Sequence, residues 1–211
     1  MIRCRMMLQN KLFLALLMLI SVTIRAAAQD FTSESIPETV FQRIQGHSFK
    51  TGGNIKRSDL RYLKLLYVNE KGETKHGEMI CNKAIASDLI DIFRELYNNR
   101  YPIHSIRLID EYNADDELSM EDNNTSCFNY RGVTGGKNLS RHAYGMAVDI
   151  NPLLNPYIRI TGKHAGEIQP KNAKRGHIID RNDLCYKLFT KHGFKWGGAW
   201  KSVKDYQHFE K

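Results

Sequence analysis

The chain has 211 residues, with 31 Lys and Arg against 23 Asp and Glu, 42% apolar residues and four cysteines. That length is ample for one hydrophobic core. The basic excess forms no stripe interleaved with aromatics, which argues against a nucleic-acid partner, and the lack of CxxC spacing argues against a structural zinc knuckle.

In chain order, Arg3, Arg5 and Lys11 precede an apolar run from Leu12 to Val22, and Ala26-Ala27-Ala28 precede Gln29. This is the layout of a signal peptide over residues 1–28, cleaved after Ala28. The run is shorter than the roughly 20 apolar residues needed to span a bilayer, and Arg25 interrupts its far side. An uncleaved leader serving as a tether is the alternative. Four of the 31 basic residues and no acidic ones leave with the leader, so 27 remain against 23. Residues 29–211 are expected to form a single exported domain with no further membrane span. Cys81, Cys127 and Cys185 remain in it. Two readings stand: one disulfide with a free thiol, or three buried thiols.

Residues 29–57 are polar and read as an irregular N-terminal arm. Ser58 to Leu66 reads as a short helix or turn capped by Ser58-Asp59. It overlaps a strand from Leu63 to Val68, which turns at Asn69-Glu70-Lys71-Gly72 into a second strand over Gly77 to Cys81. Ile85, Leu89, Ile92, Phe93 and Leu96 form one apolar stripe and predict a helix over 83–98. Pro102 follows, and Ile103 to Ile109 reads as a strand. Residues 113–138 and 161–180 read as long polar loops. Met146 to Ile150 is a compact strand with Ala147 and Asp149 on one face. A helix near 181–192 comes next, followed by a strand at Phe194-Lys195-Trp196, a turn at Gly197-Gly198 and a strand over Tyr206 to Phe209. Strands mixed with segregated helices point to an α+β fold, a small antiparallel sheet with flanking helices.

The chemistry gathers at Ser140-Arg141-His142-Ala143-Tyr144-Gly145-Met146-Ala147-Val148-Asp149 and at Asp205-Tyr206-Gln207-His208-Phe209. His142, Asp149 and His208 offer two imidazoles and a carboxylate, and Asp205 is a spare carboxylate. Three protein ligands with a fourth position open suit a catalytic zinc. Gly145 permits a tight turn that lets His142 and Asp149 converge. A lone imidazole in the apolar strand around His208 would be costly unless bound or paired. His47, His76, His104, His164, His177 and His192 lack such company and read as packed or solvated residues.

Ser140-x-His142-x2-Gly145-x-Ala147-x-Asp149 followed by Asp205-x2-His208 resembles the zinc D-alanyl-D-alanine peptidases. That family includes VanX- and VanY-type dipeptidases and carboxypeptidases and several phage endolysins. Similarity extends through Asn124-Thr125-Ser126, Asn151-Pro152, Asn155-Pro156 and Trp196-Gly197-Gly198, over about residues 100–211. The resemblance implies a hedgehog/DD-peptidase-like fold and one zinc per chain held by His142, Asp149 and His208. It also implies Asp205 as general base and peptidoglycan stem peptides as substrate, which places an exported protein in the periplasm or outside the cell beside the wall. The activity it implies is either removal of a terminal D-alanine or cleavage of a bond within the stem.

Better-known members carry an arginine directly after a tyrosine to stabilise the oxyanion, but here Tyr112 is followed by Asn113. Arg131 is the preferred substitute and Arg107 its rival. Ser140 is expected to help orient His142, and Trp196 and Trp200 either line the cleft or pack in the core. No Gly-x-Ser-x-Gly elbow supports a serine hydrolase. A zinc-containing binding domain of hedgehog-like fold, without turnover, is the competing reading.

Overall fold

The longest strands are built by a run that is apolar on both sides. Leu60–Val68 (β2) pairs antiparallel with Thr74–Asn82 (β3), from Leu60 opposite Asn82 to Val68 opposite Thr74. The computed structural model describes residues 30–133, 138–173 and 176–211. The leader expected over 1–28 lies outside them. Among the described residues, no helix is long and apolar enough to cross a membrane. The β2–β3 turn is held by Asn69, whose side-chain oxygen accepts from the amides of Lys71 (3.1 Å) and Glu73 (2.9 Å).

Both faces of this hairpin are covered. Leu63, Leu65, Met79 and Cys81 cluster with Leu89, Ile92, Phe93 and Leu96 of Ala86–Asn98 (α2), the helix expected from the apolar stripe. Leu60, Tyr62 and Ile80 cluster with Val40 and Ile44 of Glu38–Ile44 (α1). Burial on both faces explains why the overlap at 63–66 resolves as strand, and why the strand begins at Leu60 within the stretch also read as a short helix or turn. A doubly covered strand reads as a nearly continuous apolar run and hides its two-residue period. The arm over 29–57 is likewise more regular than expected. Thr32–Glu34 (β1) extends the sheet by pairing with β2, and α1 follows it.

The remaining strands are short. Ser105–Ile106 (β4) is all that forms of the strand expected over 103–109, and it pairs in parallel with Asn124–Thr125 (β5). Asp116–Glu121 (α3) lies between them within the expected loop 113–138, N-capped by Asp115, whose side chain accepts from Leu118 N. Ala147–Asp149 (β6) pairs antiparallel with His208–Glu210 (β11), which also pairs with Lys195–Trp196 (β9). A third antiparallel sheet joins Tyr157–Arg159 (β7) to Ile168–Gln169 (β8) and to Val203–Asp205 (β10). Leu184–Lys191 (α4) packs Phe189 against Phe209, with ring centroids 4.4 Å apart.

The architecture is therefore α+β with small antiparallel sheets. Val148, Phe209 and Phe189 join the same buried cluster as α2 and the long hairpin. Strand alternation then leaves Asp149, His208 and Glu210 on the face opposite that core. Cys81, Cys127 and Cys185 are buried free thiols, which settles the cysteines in favour of the second reading.

Candidate metal centre

His142 sits in a single 3-10 turn, Arg141–Tyr144. Ser140 caps it, its Oγ accepting from the His142 amide at 3.3 Å. The turn ends at Gly145, whose φ of +64° is left-handed. A Cβ there would also stand 2.7 Å from the Asn82 amide nitrogen, while the Gly145 carbonyl accepts from that same amide at 2.8 Å. Only glycine fits both demands. The end of β3 thus fixes where His142 points, and β6 begins two residues later.

The side chains of His142, Asp149 and His208 are buried and meet at one point. His142 Nε2 lies 3.2 Å from Asp149 Oδ2 and 3.3 Å from His208 Nδ1, and His208 Nδ1 lies 3.0 Å from Asp149 Oδ1. Tetrahedral zinc with bonds of about 2.0–2.1 Å requires ligand atoms roughly 3.3 Å apart. The donor set and its spacing therefore fit zinc. Outer partners fix the tautomers. His142 Nδ1 lies 2.6 Å from the Cys127 carbonyl oxygen, which can only accept, so Nδ1 carries the proton and Nε2 the lone pair. His208 Nε2 lies 3.2 Å from Glu210 Oε2, which frees Nδ1. Such outer hydrogen bonds are what metal-bound histidines use for orientation.

The Asp149 carboxylate draws positive charge to this site, and a proton on His208 competes with a metal ion for the same lone pair. Burial pushes the Asp149 carboxyl up, but the charges and hydrogen bonds of His142 and His208 outweigh it and hold the group well below the usual carboxylate range. Burial lowers the His208 pKa, yet hydrogen bonds to Asp149 and Glu210 raise it to about 10. Asp205 is different. Burial raises its carboxyl, the Asp149 charge adds to that, and the His208 charge only partly offsets them, leaving it at about 6.

Asp205, Arg131 and Ser140 line one cavity of about 490 Å³ together with the three ligand residues. Among the described residues, five buried side-chain atoms lack a hydrogen-bond partner. Four of them belong to residues of this cavity: Asp205 Oδ1, Gln207 Oε1, Arg131 Nε and Arg159 Nε. Buried polar atoms without partners are costly, so their concentration here marks where a ligand supplies what the fold does not. Gly197 permits the close approach, because a Cβ there would stand 2.7 Å from the Asp205 carbonyl oxygen and 3.2 Å from His208 Cβ.

Residues 134–211 match the D-alanyl-D-alanine carboxypeptidase family. The carboxypeptidase-family segment contains all three ligand residues, Asp205 and Glu210, whereas Arg131 precedes it. No curated protein and no solved structure matches the chain.

The structure separates the remaining candidates. Arg131 faces the cavity and is pinned by Asp116, with Nη2 2.7 Å from Oδ2. Arg107 is not at the site. It is exposed and lies 3.9 Å from Asp122, a distant surface pair. Trp196 does not line the cavity either. It is buried in the core, where its Nε1 donates to the Tyr206 carbonyl at 2.9 Å. Trp200 does line the cavity, its ring 5.2 Å from that of His208. The six histidines set aside earlier do not line it. Sequence reasoning missed Glu210, although its two-residue spacing from His208 on a strand places both on one face. It also missed Asp116 and Arg159, which only tertiary packing brings to the cavity.

Proposed function

We propose that this protein is an exported zinc peptidase that hydrolyses peptidoglycan stem peptides at or beside a D-alanyl-D-alanine bond. The observation that carries the reading is the set of three ligand atoms at tetrahedral spacing beside an unpartnered buried carboxylate oxygen of Asp205. The family match supports a peptidase and its substrate class. The basic, apolar and small-residue layout of 1–28 supports export.

When bound, zinc supplies Lewis acidity, polarising a carbonyl and acidifying water. His142, Asp149 and His208 would hold it, with the Cys127 carbonyl and Glu210 fixing the imidazole lone pairs toward the ion. Asp205, a buried carboxylate with one unpartnered oxygen and a place in the cavity beside the ligands, would take a proton from the attacking water and pass it to the leaving amine. Arg131 directs positive charge into the cavity, and its ion pair with Asp116 fixes the guanidinium so that developing oxyanion charge meets a preorganised donor. Ser140 holds the turn that carries His142.

Digestion of purified muropeptides by the zinc-loaded protein, read by mass spectrometry, tests this. The expected products are shortened stem peptides, abolished by a chelator and restored by zinc. A protein that keeps its zinc and cleaves no muropeptide is the outcome expected of a binding domain, and it would overturn the reading.

A further inference from the structure

The segment that matches the carboxypeptidase family begins at residue 134, so the stretch that carries Arg131 to the cavity comes from outside it. Asn129, Tyr130 and Arg131 run between the metal-ligand turn and the N-terminal arm. Toward the turn, the Asn129 amide donates to the His142 carbonyl at 3.1 Å, and the Arg131 carbonyl accepts from the Ser140 amide at 3.0 Å. Toward the arm, the Tyr130 amide donates to the Ser48 carbonyl at 3.0 Å. The Arg131 amide donates to the Asn129 carbonyl at 2.9 Å, closing a three-residue turn centred on Tyr130. A shift of Tyr130 therefore turns Arg131 with it.

The arm holds Tyr130 at its ring as well as at its backbone. The hydroxyl accepts from the Asn54 amide at 3.2 Å. A Cβ on Gly53 would stand 2.7 Å from Tyr130 Cζ, so the missing side chain gives the ring its seat. The ring also packs against the cluster that contains Phe49 and Phe128. Ser48 is buried and is locked in turn by Asp110, its amide donating to Oδ1 at 3.0 Å and its hydroxyl to Oδ2 at 2.8 Å. Hydrogen bonds accepted by a carboxylate are the strong kind. Farther along the same stretch, the Ala114 carbonyl accepts from Asn129 Nδ2 at 3.2 Å, and Asp116 pins the Arg131 guanidinium at 2.7 Å. Residues 110–116 thus brace the arm, the backbone turn and the cation together.

We propose that Tyr130 and Ser48 are positioning residues, and that the N-terminal arm is a clamp that sets Arg131 for the reaction. This rests on the oxyanion role given to Arg131 above. The ion pair with Asp116 fixes one nitrogen at the end of a long side chain. The direction in which that side chain leaves the backbone is set by the turn at Tyr130. Oxyanion stabilisation needs a donor already in place when charge develops, and a misplacement of about 1 Å can cost roughly 10²-fold in rate. A cation supplied from outside the matched segment needs its own brace, and the arm provides it. A merely structural aromatic would lower stability without singling out kcat.

Steady-state hydrolysis of muropeptides by the zinc-loaded full chain tests the clamp. Tyr130→Ala should lower kcat by about 10–10²-fold with KM within about twofold, because Arg131 acts on the transition state. Zinc content should not change. Tyr130→Phe keeps the ring and should retain most of the rate. Phe41 packs against the same cluster from α1, and Phe41→Ala should lower urea stability while leaving kcat unchanged. In an Arg131→Ala background, adding Tyr130→Ala should change kcat by less than about twofold, since the group it positions is gone. Should Tyr130→Ala fail to fold, Gly53→Ala displaces the ring without removing it and should show the same pattern. Wild-type kcat in these variants, loss of zinc, an equal kcat loss in Phe41→Ala, or the same fold-loss with and without Arg131 overturns the clamp and leaves the peptidase standing. The Nε–H resonance of Arg131, identified by its disappearance in Arg131→Lys, keeps the two claims apart. If the wild type cleaves nothing, the peptidase reading fails. A sharp resonance that broadens in Tyr130→Ala and persists in Tyr130→Phe then keeps the clamp, and one unchanged in Tyr130→Ala overturns it.

Discussion

The β2–β3 hairpin with α2 and the cavity wall of β7, β8 and β10 are made of opposite materials. The first has nine-residue strands, a full hydrogen-bond ladder and side chains such as Leu63, Leu89 and Phe93 almost wholly removed from water. The second has strands of two or three residues, none of them fully buried, and it carries Asp205 and Arg159 with unsatisfied buried atoms. Stability is concentrated in one region, and unmet polar demand is concentrated in the other. Functional sites hold such unfavourable arrangements because a well-packed scaffold outweighs them.

The contrast is broken most sharply at the metal. His142→Ala or His208→Ala should abolish peptidase activity and zinc retention, while near-ultraviolet circular dichroism stays close to wild type because the long hairpin and α2 are untouched. Loss of the dichroism signal would show that the site also holds the fold. Asp205→Asn should keep both zinc and fold and lower kcat by about 10²–10⁴, the usual size of general-base effects. A rate within threefold of wild type would remove Asp205 from the proton path.

Phe93→Ala probes the other region. Phe93 is buried under the hairpin, and its loss should cost about 3–5 kcal/mol in urea unfolding, with zinc affinity of the folded protein unchanged. Equal losses in both would mean that scaffold and site are not separable. A smaller effect is expected from Glu210→Gln, which loosens the hold on His208 Nε2 and should weaken zinc binding by about 10–100-fold in competition with a chelator.

The smallest effect lies at the hairpin's exposed edge. Burial alone would raise the Glu78 carboxyl, but hydrogen bonds from Arg43 and Tyr62 hold it below the ordinary value. A depressed carboxyl stabilises above its unfolded pKa of about 4.3, and that contribution disappears as pH falls through the folded value. The difference in urea midpoint between wild type and Glu78→Gln should therefore be present at pH 7 and shrink below about pH 4. A difference that grows with acid would reverse the sign.

The two regions were also unequally legible. The α2 stripe and the Asn69–Gly72 turn announce themselves through period and turn chemistry, and the ligands through a spacing that Gly145 makes feasible. The sheet of β7, β8 and β10 does not, because two or three residues carry no period, and its partners are 48 and 44 positions apart in sequence at the Tyr157–Asp205 and Arg159–Val203 pairs. The strand over Leu63–Val68 was legible, but its start at Leu60 was not, because its second face is covered by α1, an element that the polar sequence of residues 29–57 conceals. Arg131 was reachable from its neighbourhood in the chain. Arg159 was not, since nothing local to Tyr157–Arg159 distinguishes a cavity cation from a surface one.

Zinc X-ray absorption on the loaded, dialysed protein tests the central claim most directly. The account predicts one tightly held zinc per chain, with nitrogen and oxygen neighbours at about 2.0–2.1 Å and the signature of two imidazoles. Sulfur neighbours near 2.3 Å, or no zinc retained after dialysis, would contradict it.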